Sequence, residues 1–207
     1  MTFEEQIQHF RGIVDDVSFP TVKEWKSKHP GGKVVGMFPV YTPYELPHAL
    51  GMLPVGLLGA GGKIEIDHAD SRIQSFVCSI ARSTLELGLT DRVKDFDAVY
   101  FTSICDVARN LSGIWKANFP HQLVEYIHFP QNMESPSAVH HYRGEMQRLL
   151  GNLEQLGGKK ATADALVRSI EAFNHNRSLC WRLYEIRQLT PWKLSTYEAY
   201  ILLRMGT

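Results

Sequence analysis

Apolar residues recur at spacings of three and four near the start of the chain, where Phe3, Ile7, Phe10, Val14 and Val17 form one stripe. That period predicts an amphipathic helix over 3–17. Thr21 to Lys28 predicts a second, shorter helix, ended by the breaker His29-Pro30-Gly31-Gly32. The pattern then changes. Four short stretches, 33–38, 53–58, 98–101 and 124–129, are rich in apolar and β-prone residues and read as buried strands. Helical spacing returns between them. Thr42 can cap a helix with Pro43 at its first position and Glu45 in its first turn, ending at Gly51. Phe76, Ile80, Ala81 and Leu85 predict a helix from about Gln74 to Leu87, stopped by Gly88, while 64–73 reads as irregular. A further helix follows from Asp106 to about Lys116. Strands alternating with helices predict an α/β fold: a mainly parallel sheet of about four strands with helices on both faces.

Past Pro130 the strand signal stops. Ser135-Pro136 starts a helix that runs to about Leu156, where Gly157-Gly158 breaks it. Thr162 caps a longer helix through about Leu189, with Leu166, Ile170, Phe173, Cys180 or Trp181, and Tyr184 on its apolar side. A last helix begins near Ser195. The division expected is an α/β domain with an N-terminal helix over 1–134 and a helical segment over 135–207. Ala199 to Met205 is apolar enough to need a packing partner, and nothing after it in the sequence supplies one.

Composition narrows the classes. Apolar residues are 44% and charged residues 21%, ordinary for a globular protein. The 22 basic and 22 acidic side chains balance, which argues against non-specific nucleic-acid or anionic-membrane binding. No stretch reaches the roughly 18 apolar residues of a membrane span, and the N-terminus lacks the apolar core of a signal peptide. The three cysteines lie far apart, unlike a disulfide framework. These features predict a protein of the reducing cytoplasm.

Candidate chemistry centres on Cys78 and Cys105. Cys105 follows the 98–101 strand through Thr102-Ser103-Ile104, at the expected start of a helix with Asp106 as its N-cap. Helix N-termini favour thiolates, and ligands of parallel sheets bind beyond the strand C-termini, so Cys105 suits a metal ligand or a nucleophile. The 26 residues between the two cysteines match no Cys-x-x-Cys metal motif. On spacing alone, two small buried hydrophobes is the competing reading. Cys180, mid-helix among Leu179, Trp181 and Leu183, reads as a core thiol.

Other signals are weaker. His140 and His141 are adjacent on a helix, point roughly 100° apart and cannot chelate together. Gly59-Ala60-Gly61-Gly62 is followed by Lys63-Ile64, so it lacks the Gly-Lys-Ser/Thr of a phosphate loop and reads as a turn. No Gly-x-Ser-x-Gly elbow is present, and Ser103 has no evident base. Tyr41 and Glu45 sit just past the first strand, where a ligand would lie, although Glu45 is also simply a favourable first-turn carboxylate.

Several stretches together resemble the cluster-bearing subunits of the 2-hydroxyacyl-CoA dehydratase and benzoyl-CoA reductase family. They are Phe38-Pro39-Val40-Tyr41-Thr42-Pro43-Tyr44-Glu45-Leu46, His48-Ala49-Leu50-Gly51-Met52-Leu53-Pro54, Cys78 with Arg82-Ser83, Cys105-Asp106 with Asn110-Leu111-Ser112-Gly113, and His128-Phe129-Pro130-Gln131-Asn132. They occur in family order over essentially the whole chain. Arg82-Ser83-Thr84-Leu85-Glu86-Leu87 and Ile104-Cys105-Asp106 look most like benzoyl-CoA reductase subunits.

The resemblance implies a Rossmann-like domain carrying a 4Fe-4S cluster held by three cysteines, with one iron open. Cys78 and Cys105 match two of those ligands. The third comes from a second α/β domain that this sequence does not contain, and Cys180 does not match it. The family chemistry adds one very low-potential electron to a CoA thioester to give a ketyl-type radical anion. The reductase branch goes on to dearomatise the ring, and the dehydratase branch expels a hydroxyl. The partners implied are a homologous second subunit, an ATP-hydrolysing electron-activating subunit and an acyl-CoA substrate. Glu45 is then the candidate catalytic group and Tyr41 a candidate substrate contact. The expectation is part of a benzoyl-CoA reductase-like oxidoreductase. The alternatives are a 2-hydroxyacyl-CoA dehydratase subunit and a cluster-less partner subunit.

Overall fold

The computed structural model describes residues 1–206. Four strands form one sheet: β1 (Val34–Phe38), β2 (Leu53–Gly56), β3 (Ala98–Thr102) and β4 (Leu123–Ile127). All pairings are parallel, and the spatial order is β2-β1-β3-β4. The register sets Val35 beside Ala98 and Phe101 beside Tyr126. The helices are α1 (Phe3–Asp15), α2 (Pro20–Lys28), α3 (Glu45–Ala49), α4 (Asp67–Asp70), α5 (Ser79–Leu89), α6 (Asp106–Asn118), α7 (Ala138–Gly157), α8 (Ala163–Leu189) and α9 (Thr196–Arg204). The α/β architecture read from the alternation is therefore the one observed.

Successive strand side chains point to opposite faces, and this builds two cores. Val34, Phe38, Val99 and Phe101 pack with Ala81, Leu85 and Leu87 of α5 and Ala108, Leu111 and Trp115 of α6. Val35, Met37, Ala98 and Tyr100 face the other way, against Leu50 and Met52 after α3 and Leu149 and Leu153 of α7. β1 and β3 are buried at every position because helices cover both faces. From β1 the chain crosses to β2 on one side, and from β3 to β4 on the other. The reversal leaves a crevice beyond the C-terminal ends of β1 and β3, where open α/β sheets bind ligands.

Several local expectations are corrected. Thr42 does not cap α3. The N-cap is Tyr44, whose N–H bonds Thr42 O at 3.0 Å, so residues 42–44 form a tight turn and the helix starts at Glu45. The helix expected from Gln74 begins only at Ser79, and the stretch read as irregular contains α4. Glu86 of α5, nearly fully buried, accounts for that: its carboxylate accepts the Ala69 N–H and lies 2.7 Å from His68 Nδ1, pinning α4 to α5. Gly88 does not stop α5. A Cβ there would lie 2.6 Å from Phe119 Cζ, so the glycine lets α5 approach the aromatic pair Trp115 and Phe119.

The C-terminal helices differ more. α7 lies on the sheet, whereas α8 buries only Ser169. Its expected apolar side is mostly in solvent, with Trp181 70% and Tyr184 55% exposed, because α8 meets α3 largely at Phe173, which packs on His48 and Tyr44, and through polar groups. Cys180 is half-buried and belongs to neither core, so it is not the core thiol expected. α9 does find a partner: it packs on α1, burying Ala199 and Ile201. Among the described residues no helix is long and apolar enough to cross a membrane.

Candidate functional site

The C-terminal ends of β1, β3 and β4 open into a cleft of about 830 Å³. The segment after β1 contributes Tyr41, Thr42, Pro43 and Glu45; that after β3, Ser103 and Ile104; that after β4, Phe129, Pro130, Gln131 and Met133. α7 adds Ala138, Val139 and Tyr142, and α8 adds Arg177. Both residues expected from their place past the first strand, Tyr41 and Glu45, line this cleft.

The wall is built by short polar ties. Thr102 Oγ1 donates to Val40 O at 3.0 Å, fixing the β1 exit to the end of β3. Ser103 Oγ accepts the Phe129 N–H at 2.9 Å, and its own N–H bonds Ile127 O at 3.0 Å. Ser103 thus joins the β3 and β4 exits, as suits a serine with no base. Tyr41 takes a left-handed backbone (φ 60°), strained for a non-glycine residue, and the residue is 73% exposed. It meets Phe129 edge-on at 6.3 Å, and Phe129 stacks on Tyr142 at 5.8 Å.

Glu45 is the first residue of α3, and its side chain is 17% exposed. Its carboxylate pairs with the Arg177 guanidinium. Its carbonyl accepts a hydrogen bond from Ser169 Oγ at 2.9 Å, and that oxygen lies 2.9 Å from His48 Nδ1. One helix, α8, therefore grips Glu45 at both backbone and side chain. Burial holds the Tyr142 phenol above its ordinary pKa, and the Glu45 charge pushes it further the same way.

Cys78 and Cys105 are both free and exposed, so neither is the buried hydrophobe of the competing reading. Each is the N-cap of a helix, Cys78 of α5 and Cys105 of α6. The cap expected at Asp106 thus falls one residue earlier. Cys105 Sγ accepts the Ala108 N–H at 3.4 Å, while Cys78 makes no side-chain cap. One turn into α5, Arg82 holds the approach to Cys78, donating to Asp70 Oδ1 at 3.1 Å and Ser75 O at 3.2 Å. α5 and α6 cover the same sheet face, and both begin at its C-terminal edge.

Neither cysteine lines the cleft; Ile104, the neighbour of Cys105, does. Among the described residues no group of three or more His, Cys, Asp or Glu side chains could hold a metal ion. Among the described residues the chain therefore supplies no complete set of metal ligands. Arg177, Tyr142 and Ser169 carry no signal in the sequence that singles them out. Tyr142 and Arg177 reach the cleft, and Ser169 reaches the Glu45 carbonyl, from helices far along the chain, Arg177 across 132 positions from Glu45, and no local spacing announces that.

Residues 39–207 match the family described as 2-hydroxyglutaryl-CoA dehydratase, D-component. The chain is 42% identical over 206 residues to a benzoyl-CoA reductase subunit of Thauera aromatica, covering 100% of this chain and 53% of that protein. It is 35% identical over 149 residues to the beta subunit of lactoyl-CoA dehydratase of Anaerotignum propionicum (72% of this chain, 39% of that one). It is 30% identical over 154 residues to the beta subunit of (R)-2-hydroxyglutaryl-CoA dehydratase of Acidaminococcus fermentans (74% and 40%). The chain thus spans about half, or less, of the length of these relatives. The family match over 39–207 and the whole-chain similarity identify the chain as a member of the 2-hydroxyglutaryl-CoA dehydratase D-component family.

Proposed function

We propose that the chain is part of a CoA-thioester reductase of the benzoyl-CoA reductase kind, and that the cleft at the sheet edge receives the acyl group. The observation that carries this reading is the cleft's make-up. It lies at the point where the strand order reverses, it is walled by Tyr41, Phe129, Tyr142, Ile104, Met133 and Val139, and among the described residues it holds one carboxylate, Glu45. Apolar and aromatic walls suit a flat aromatic acyl group, with Tyr41 and Phe129 packing against the ring. Glu45 is the group on this chain suited to hold or deliver a proton as the acyl group is reduced. The similarity to the benzoyl-CoA reductase subunit of Thauera aromatica supports the reductase branch over the dehydratase branch.

In this reading Cys78 and Cys105 are two ligands of a 4Fe-4S cluster, with the rest of the ligand set supplied from outside these 207 residues. Two features suit these sulfurs to a ligand role: both cysteines occupy helix N-cap positions, and Cys105 Sγ already accepts a backbone N–H. When bound, the cluster supplies single electrons at low potential. A homologous second subunit and an ATP-hydrolysing electron donor complete the assembly, which we place in the cytoplasm. The test is anaerobic reconstitution with iron and sulfide in the presence of the partner subunits, followed by iron analysis, EPR on reduction and turnover of benzoyl-CoA. Cluster formation lost in both Cys78→Ala and Cys105→Ala, with benzoyl-CoA consumed by the intact complex, is the expected result. An unchanged cluster in both variants refutes the ligand assignment. Turnover of 2-hydroxyacyl-CoA alone refutes the reductase branch.

A further inference from the structure

The cleft contains one cation among the described residues that line it, the guanidinium of Arg177, and that guanidinium is already engaged. One terminal nitrogen, Nη2, binds the Glu45 carboxylate, and the other, Nη1, donates to Asn174 Oδ1 at 2.8 Å. We propose that Arg177 is a specificity-determining residue: by neutralising Glu45 it leaves the cleft with no free positive charge and so restricts it to uncharged acyl groups. This rests on the proposed acyl-CoA function of the cleft.

The reasoning is electrostatic. An acyl chain ending in a second carboxylate must lose its water on entering an apolar cleft, a cost recovered only against a cation or several donors. Here it would meet Arg177 in competition with Glu45, whose side chain is 17% exposed and lies on the same wall. Two carboxylates would share one guanidinium. Displacing Glu45 would leave a carboxylate next to the phenol of Tyr142 and the rings beyond it, with no second cation to take it. The first turn of α7, which brings Ala138 and Val139 to the wall, adds only the partial charge of a helix N-terminus. That is weaker than a charge-assisted hydrogen bond. A neutral aryl or alkyl group meets none of these costs. The Ser169 bond to the Glu45 carbonyl keeps the carboxylate within reach of Arg177 and so maintains the neutral pair.

The test uses two thioesters that differ by one para substituent, benzoyl-CoA and 4-carboxybenzoyl-CoA, titrated calorimetrically into the purified chain. The wild type is expected to bind benzoyl-CoA about tenfold more tightly or better, the factor set by about 1.4 kcal/mol. Glu45→Gln frees Arg177, and 4-carboxybenzoyl-CoA then gains about tenfold in affinity. Adding Arg177→Met to Glu45→Gln removes that gain. The double variant has no charge left to bury, and circular dichroism checks its fold. Equal binding of both thioesters by the wild type, or a preference ratio that Glu45→Gln leaves unmoved, overturns the role of Arg177 while leaving the cleft an acyl-CoA site. Failure of the wild type to bind either thioester overturns the functional reading and this inference with it.

Discussion

Cys78 and Cys105 have matching positions but unequal structural roles, and replacing each by alanine separates fold from chemistry. Cys105 has an extended backbone (φ −162°, ψ 167°), and its sulfur accepts the Ala108 N–H at 3.4 Å, satisfying one of the four donors a helix start leaves unpaired. Removing an N-cap side chain costs about 0.5–2 kcal/mol. Sulfur is a weak acceptor, and this one is exposed, so Cys105→Ala falls at the low end, about 0.5–1 kcal/mol. For a chain of this size that corresponds to a melting point lower by about 1–4 °C. Cys105→Ser puts a better N-cap in the same place and is expected to match or slightly exceed the wild type. Cys78 makes no side-chain cap, so Cys78→Ala is expected to stay within about 0.5 kcal/mol.

Urea titrations of the four proteins, in reducing buffer without iron, decide the matter. The order expected is Cys105→Ser at or above wild type, Cys78→Ala level with it, and Cys105→Ala below. A Cys105→Ser variant as unstable as Cys105→Ala would refute the capping role of the sulfur. A Cys78→Ala variant that loses more than about 1 kcal/mol would show a structural role that its exposed, uncapped side chain does not provide. The outcome matters for function, since loss of iron from Cys78→Ala then reports a lost ligand in an intact fold.

Three further perturbations probe the frame. Asp97 lies at the N-terminal end of the sheet between Lys26 Nζ (2.9 Å) and Lys33 Nζ (3.1 Å) and accepts the Val34 N–H. Those partners outweigh its burial and hold its carboxyl below the usual value, so its contribution is present above the unfolded pKa near 3.8 and is lost as pH falls through the lower folded one. Asp97→Asn should flatten the acid limb of the stability–pH curve in that window, read by thermal melts between about pH 2 and 5. Arg148, itself part-exposed, bridges Glu145 and Glu125, each of which keeps one neutral donor (the His128 N–H and Asn152 Nδ2), so Arg148→Met should cost about 1–2 kcal/mol in chemical denaturation. Gly88→Ala should cost about 1–3 kcal/mol despite alanine's better helix propensity, because its Cβ would press on Phe119 and Trp115; a neutral or stabilising result in a urea melt refutes that contact.

Much of the scaffold is legible in the sequence because its signals are local. The strands at 34–38, 53–56, 98–102 and 123–127 fall within two residues of the apolar runs that announce them. The long helix starts after Thr162 and ends at Leu189, as the cap and Thr190-Pro191 imply, because a hydroxyl cap and a proline act on their immediate neighbours. Where sequence and structure part, a distant contact overrides the local preference. Gly88 has the form of a stop signal and is a contact surface for α6. Ala199 to Met205 reads as unpartnered, since its partner α1 lies at the far end of the chain. Periodicity marks an apolar face on α8, and Phe173 of that face does pack on His48 of α3 and on Tyr44, yet the polar contacts of the helix with α3 come from Ser169 and Arg177, residues that an apolar stripe does not include.

The cleft shows the same division within one site. Tyr41 and Glu45 can be placed from the sequence because a parallel sheet delivers whatever follows its strands to one edge, and that delivery needs only the strand ends to be right. Their environment cannot. Glu45 alone, at a helix start, reads as a free carboxylate favoured by the helix dipole. The fold gives it a guanidinium from α8, a hydroxyl on its own carbonyl and an aromatic stack close by, and so changes what it can do. Tying Glu45 to α8 makes that helix part of the site although it buries a single residue. An α8 that shifts therefore moves Arg177 and Ser169 together and alters both the position and the partners of Glu45.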